Sequence, residues 1–351
     1  MLEPENNPNP PDMVDPSAFK RFLLARYLRR IASTRQIKKR RASFERQRLA
    51  ANRRHEIEYF HQLDDPYSHL TAQVLSQIAD RYDVRITPHL IRATGGKNQP
   101  EAEKLAIWAR RDAELIAPHY GLCFPETAGV VPEPEIQHIA AQALVGLESA
   151  GFLSNIEKIS TDLWSSEASE HGRSSDADTS AALDAGSARL AELGHYSGAT
   201  FYYGGEWYWG VDRLFHLEQR LRELGVCRAP EEPYIAQRPD TDVADVDASD
   251  LELHFYPSLN SPYTSIIYDR TVALADACNI NFQHKPVLPM IMRGVPATPA
   301  KAKYIFFDTK READFFGIPF GKHVSPIGTP TRLAYSLLPW ATAQGKDRQL
   351  M

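Results

Sequence analysis

The side chains in this sequence that could do chemistry are few and widely spaced. Cys123, Cys227 and Cys278 are too far apart for a disulfide framework, a zinc site or a Cys-x-x-Cys redox pair. Cys123 and Cys278 sit among apolar residues and are expected to be buried and inert, whereas Cys227, after a helix end, is expected at the surface. His55, His61, His69 and His89 lack metal-ligand spacing and read as strand-edge or surface residues, so no metal is expected. What remains is a pair of similar turns, Asp65-Pro66-Tyr67 and Ser261-Pro262-Tyr263. Aspartate and serine both suit the N-cap of a helix, where the side-chain oxygen accepts a backbone N–H left over by the first turn.

The elements that must hold these turns can be read from the pattern. Glu56-Ile57-Glu58-Tyr59-Phe60 and Val84-Arg85-Ile86-Thr87 alternate as strands on either side of a helix over about 68–82, a β-turn-α-β start. Most of 100–116, 134–147 and 177–193 reads as helix, and 164–179, rich in Ser, Asp and Glu, as a surface loop. Phe201-Tyr202-Tyr203 and Glu206-Trp207-Tyr208-Trp209 flank Gly204-Gly205 as a hairpin whose aromatic residues are read as core, and 211–224 closes the unit as a helix. Ala229 to Asp250 carries seven acids and three prolines, the composition of a linker.

Past the linker the pattern begins again. At an offset of 196 residues, Ile57-Glu58-Tyr59-Phe60 falls on Leu253-His254-Phe255-Tyr256, Asp65-Pro66-Tyr67-Ser68 on Ser261-Pro262-Tyr263-Thr264, and Ile78-Ala79-Asp80 on Leu274-Ala275-Asp276. Strand, turn and helix agree in one register, and Gly121-Leu122-Cys123-Phe124 returns to it against Gly317-Ile318-Pro319-Phe320. The chain is read as an α/β protein of two copies of one domain, 55–228 and 250–351, joined by an acidic linker, 229–249. The first copy spans about 170 residues and the second 102, stopping before any equivalent of the hairpin. The expectation is either a fragment of a longer protein or a degenerate second domain.

These motifs resemble the DsbA-type thioredoxin-like family, in the branch of 2-hydroxychromene-2-carboxylate isomerase and kappa-class glutathione transferase. The carrying residues are Asn260-Ser261-Pro262-Tyr263, Lys285-Pro286-Val287-Leu288, Thr298 to Tyr304 and Phe316 to Phe320. In the first copy they are Asp65-Pro66-Tyr67, His195 to Phe201 and Trp209 to Arg213. The resemblance implies two thioredoxin-like domains with helical insertions and a glutathione site in which Ser261 hydrogen-bonds the thiolate. Pro262, Tyr263 and the Lys285 region would shape that site, and Asp212 matches a position that binds the γ-glutamyl end; its alternative reading is a cap on the final helix. The first copy departs from the pattern: Asp65 replaces the serine, and Ala199 stands where a cis-proline is expected. An ionised Asp65 about 4 Å from a thiolate, at an effective dielectric near 20, repels it by ~4 kcal/mol, so this copy is read as a degenerate site.

The net charge of −5 is unevenly spread. Ser17 to Arg54 holds fourteen Lys or Arg and one acid, Glu45, giving +13 and leaving −18 for the rest. Residues 1–16, rich in Pro and acids, are expected to be disordered. Residues 17–54 are expected as a basic amphipathic helix that becomes a solvated helix or tether after Ile31, contacting an acidic partner, a membrane surface or the protein's own acidic body. No apolar run approaches the ~20 residues of a membrane span, and the cytoplasm is the expected compartment. The function expected is a glutathione-dependent isomerase or transferase acting on a small thiol or aromatic substrate. A non-catalytic tandem scaffold is the alternative, one that fold alone would label an oxidoreductase. Dithiol exchange is not expected, because neither turn holds a cysteine.

Overall fold

The computed structural model describes residues 15–167, 174–239, 243, 246–295, 297–321 and 323–350. Nearly all of the segment expected to be disordered, residues 1–14, lies outside them. The chain forms two compact units: a continuous one, Arg41–Asp240, and a split one, Met1–Arg40 with Thr241–Met351. The basic segment forms two helices, α1 (Ala18–Ile31) and α2 (Thr34–Ala50), with a break at Ala32 and Ser33. No proline or glycine interrupts either, and Ser17 caps α1 by accepting the Lys20 N–H. The second helix is more than a tether. Within the continuous unit Arg41 grips Glu206 through two hydrogen bonds of 2.7 and 2.8 Å, and the Phe44 ring meets Tyr203 edge-on at 5.7 Å.

The continuous unit then runs β1 (Glu56–Gln62), α3 (Pro66–Ala72), α4 (Leu75–Arg81), β2 (Arg85–Ile91), α5 (Ala102–Ile116), α6 (Pro134–Val145), α7 (Ser149–Trp164), α8 (Asp176–Leu193), β3 (Thr200–Tyr203), β4 (Glu206–Trp209) and α9 (Val211–Glu223). The four strands make one mixed sheet in the order β2-β1-β3-β4. β1 runs parallel to β2, with Glu56 opposite Arg85, and antiparallel to β3, with Glu58 opposite Tyr202. The β3–β4 hairpin turns at Gly204 and Gly205, both at positive φ. Gly204 is further required because a Cβ there would stand 2.9 Å from the Phe44 ring and 2.6 Å from an Arg220 nitrogen.

Side chains alternate across β1 as its pleat requires. Ile57 and Tyr59 join the main core with Leu70, Ile78, Ile156, Phe201, Tyr208 and Leu214, while Phe60 faces Ile91 and Leu190 of α8 on the other side. On that second face Glu58 is held by Arg189 at 2.7 Å and His89 at 3.0 Å. The first half of the segment expected as linker packs against the main core, where Ala236 is buried. The N–H groups of Ile235 and Ala236 each donate to the buried Glu218 carboxylate at 2.9 Å, beside the Tyr82 hydroxyl at 2.8 Å, which satisfies a charge that burial alone would penalise.

The split unit contains β5 (Glu252–Phe255), α10 (Pro262–Ala277), β6 (Asn281–His284), α11 (Pro299–Phe315), α12 (Thr329–Ser336), α13 (Leu338–Ala343) and α14 (Asp347–Leu350). β5 and β6 are parallel, with Glu252 opposite Asn281. Among the described residues β5 has one neighbouring strand. The unit buries Ile266, Cys278, Tyr304 and Phe306. Asp15 belongs to it as well: its carboxylate accepts from the Thr329 N–H at 3.1 Å and hydroxyl at 2.8 Å, and Arg21 donates to the carbonyls of Ser325 and Ile327.

Candidate functional site

After β1 the chain turns into α3 at Asp65. Its carboxylate accepts from the backbone N–H groups of Tyr67 (3.3 Å) and Ser68 (3.1 Å) and from the Ser68 hydroxyl (2.8 Å), so the N-cap reading of this residue is the observed one. The segment leading into β3 lies against it. A Cβ on Gly198 would sit 2.5 Å from that of Gln62 and 3.2 Å from an Asp65 oxygen, so a larger residue could not bring the segment so near. The next residue, Ala199, is fully buried with φ +53°, a left-handed backbone that costs ~1–3 kcal/mol in a residue with a side chain. Its carbonyl accepts the Gly210 N–H at 2.8 Å.

Burial, opposed by the Ser68 hydrogen bond and aided by the charge of Asp64, pushes the Asp65 pKa up to about 7. Burial thus favours the neutral carboxyl over the ionised form on which the repulsion of a thiolate depends. Behind the cap lie two imidazoles that the sequence reading placed at a strand edge or the surface. His61 is 1% and His69 2% exposed; His61 meets the Tyr59 hydroxyl at 2.9 Å and His69 the Ser160 hydroxyl at 2.9 Å. Burial lowers their pKa values to about 3 and about 4. His55 is buried too, against the Tyr203 hydroxyl. Among the described residues no His, Cys, Asp and Glu group is placed to hold a metal ion. Cys123 is exposed, Cys227 half-buried and Cys278 buried, which reverses the expectation for Cys123.

Beside this turn a cavity of about 450 Å³ opens at the carboxyl ends of β1 and β2, lined by Leu63, Asp64, Ile91, Arg92, Gln137 and His138 among others. The depression is open to solvent along its length, and it stands at the carboxyl ends of parallel strands, where open α/β sheets take ligands. Arg92 is engaged by Asp184 at 2.6 Å and His138 by Asp176 at 2.9 Å. Sequence reasoning missed this cavity because its walls come from α6 and α8, far along the chain from the turn.

In the split unit Ser261 caps α10. Its Oγ accepts the Thr264 N–H at 3.3 Å, and the Thr264 hydroxyl accepts the Ser258 N–H at 3.2 Å. Pro262 occupies the first turn, and α10 is 16 residues long, enough for a full helix dipole at Ser261. Lys285 follows β6, with its side chain exposed and its N–H donated to the Phe255 carbonyl at 2.8 Å. Asp212 lies in the other unit, in the first turn of α9. The N-cap there is Gly210, which corrects the capping alternative, and Asp212 pairs with Arg213 and adds to the field that raises the Tyr67 pKa. The structure thus gathers Ser261, Pro262 and Tyr263 at one helix start and Asp65, Ala199 and Gly198 at another. Lys285 stands at a strand end, and Asp212 is not in the unit that holds Ser261.

The two turns share details beyond their residue types. Tyr67 donates to Asp112 of α5 at 2.8 Å, and Tyr263 donates to Asp308 of α11 at 2.8 Å; donor and acceptor in the first pair each lie 196 positions before those in the second. The strand ladders obey the same rule, because Glu56–Arg85 and Glu252–Asn281 are also 196 apart. The sequence offset could have exposed the two aspartates had it been followed into α5 and α11.

No protein-family profile matches the chain, and no curated protein matches it. Among solved structures, a 2-hydroxychromene-2-carboxylate isomerase is similar with a TM-score of 0.37 and 20% sequence identity, over 48% of this chain and 96% of that chain.

Proposed function

We propose that the chain is a DsbA-like protein of the isomerase and transferase type, with two copies of a thioredoxin-like domain, in which the Ser261 turn handles a small thiol and the Asp65 turn does not. The carrying observation is the shared make of the two turns: the same parallel strand pair, proline-started helix and tyrosine–aspartate bond at one offset, with serine in one and a buried carboxyl in the other. A hydroxyl that accepts the Thr264 N–H still has its own proton to donate to a thiolate, and the start of α10 adds positive potential. Each unit by which a thiol pKa falls corresponds to ~1.4 kcal/mol of preference for the thiolate. These donors fit the thiol end of glutathione. The residue that the resemblance assigns to its γ-glutamyl end, Asp212, lies in the other unit.

The test is calorimetric titration of the full chain with glutathione, together with thiol-conjugation and chromene-carboxylate isomerisation assays. Binding at millimolar concentration that weakens about tenfold in Ser261→Ala, as expected for a hydrogen bond to a charged group, supports the reading; no binding and no turnover sinks it. A non-catalytic scaffold is the second reading, favoured by one observation: at Asp65 and Ala199 the better-packed unit has filled its turn with its own contacts.

A further inference from the structure

The helix α1 is turned outward. Its less exposed positions are Arg21, Ala25, Leu28, Ile31 and, just past its end, the buried Ala32, one face at helical spacing. Arg21 fixes that face within the split unit through the carbonyls of Ser325 and Ile327 and the Asp15 carboxylate. Most of the large apolar side chains are left on the outer side: Phe19 is 68% exposed, Phe22 60%, Tyr27 59%, Leu23 48% and, nearer the edge, Leu24 46%. Lys20, Arg26, Arg29 and Arg30 stand exposed among them, and α1 contains no acid. An ordinary amphipathic surface helix buries its large apolar residues and shows its charges; here both are displayed together.

We propose that the outer face of α1 docks on an anionic lipid surface, lying in the plane of the headgroups with Phe19, Phe22, Leu23 and Tyr27 inserted and the cations around them. Charge complementarity argues for an anionic occupant. The outward apolar side chains argue for a bilayer over a nucleic acid, whose phosphates would use the cations and leave the phenylalanines in water. Lys and Arg stems reach past apolar groups to place their charge at headgroup depth, so interleaved cations do not oppose insertion. Among the described residues no helix is long and apolar enough to cross a membrane, and the proposed contact needs none.

The experiment is co-sedimentation of the full chain with vesicles of phosphatidylcholine alone and of phosphatidylcholine with phosphatidylserine, at low and high salt. Comparison proteins carry Phe19→Ser with Phe22→Ser, or Arg26→Gln with Arg30→Gln, each checked by circular dichroism for an unchanged fold. The expected result is binding to the anionic vesicles alone, weakened by salt and reduced about tenfold or more by either pair of substitutions. Three outcomes overturn the proposal. One is no vesicle binding. Another is binding of a DNA duplex, without vesicle binding, that the phenylalanine pair does not alter. The third is a dimer in light scattering that dissociates in the phenylalanine variant, which makes the face a contact between copies.

Discussion

At the scale of single residues, Asp65 and its neighbours set opposing pH dependences. Asp65 is an acid whose folded pKa, about 7, lies above its ordinary 3.8; its contribution to stability is complete below the ordinary value and is lost as pH rises through about 7. His61 and His69 lie below their ordinary 6.5, so their contribution is complete above 6.5 and lost as pH falls toward about 3 for His61 and about 4 for His69. Asparagine caps a helix as well as aspartate and cannot ionise. Asp65→Asn should therefore raise the melting temperature relative to the unsubstituted protein more at pH 8 than at pH 4. Thermal unfolding at the two pH values decides it, and the opposite ordering would mean that the helix start stabilises the ionised carboxylate. His69→Gln should flatten the loss of stability between pH 6.5 and 4 in the same measurement. The tyrosine pairs differ in a similar way. Asp308 is 1% exposed and also bonded to Arg311 at 3.1 Å, whereas the Tyr67–Asp112 bond is exposed. Tyr263→Phe, which takes a donor from a buried charge, should cost about 1.5–3 kcal/mol and Tyr67→Phe less than about 1, read by denaturant unfolding.

At the scale of elements, much of the continuous unit was legible because strands alternate and turns carry their own chemistry. β1, the hairpin with Gly204 and Gly205, and α9 stand where the pattern put them. What was missed has identifiable physical causes. Phe152, Ile156, Ile159 and Leu163 of α7 recur at helical spacing and are all buried, but Ser149, Gly151, Ser154, Asn155 and Thr161 dilute the signal with residues that favour turns and caps. The helix expected over 68–82 is split at Gln73 and Val74, where the Val74 N–H bonds three residues back to the Thr71 carbonyl at 3.2 Å; the Gln73 side chain brackets the Cys123 backbone there, donating to its carbonyl at 2.8 Å and accepting its N–H at 3.0 Å, a contact 50 residues away that no local pattern shows. The raised pKa of Asp65 was hidden for the same reason, since its environment includes Gly198. Where α2 docks was not legible either, because one phenylalanine in a basic helix gives no period and the charge pattern left an acidic partner, a membrane surface and the protein's own body open alike. The docking can be measured: Gly204→Ala puts a methyl at positive φ against Phe44 and Arg220, and should cost about 2 kcal/mol or more.

At the scale of the whole molecule, the two units differ in how firmly they hold their strands. β1 is flanked on both sides and Ile57, Tyr59 and Phe60 are fully buried; β5 has one neighbour among the described residues, and Leu251 and Tyr256 beside it are each 57% exposed. A two-stranded sheet is marginal without such support. Hydrogen exchange should show the amides of β1 exchanging only with global unfolding, and those of His254 and Tyr256 orders of magnitude sooner; equal protection would contradict this. The bond from Asp15 to Thr329 joins residues 314 apart, and that separation fixes a temporal order. At a ribosome adding ~5–20 residues per second, Asp15 waits some tens of seconds for its partner, while every strand of the continuous unit has already emerged. The split unit must close last, and until then α1 is an unanchored cationic segment on a nascent chain, free to meet whatever surface lies near the site of translation.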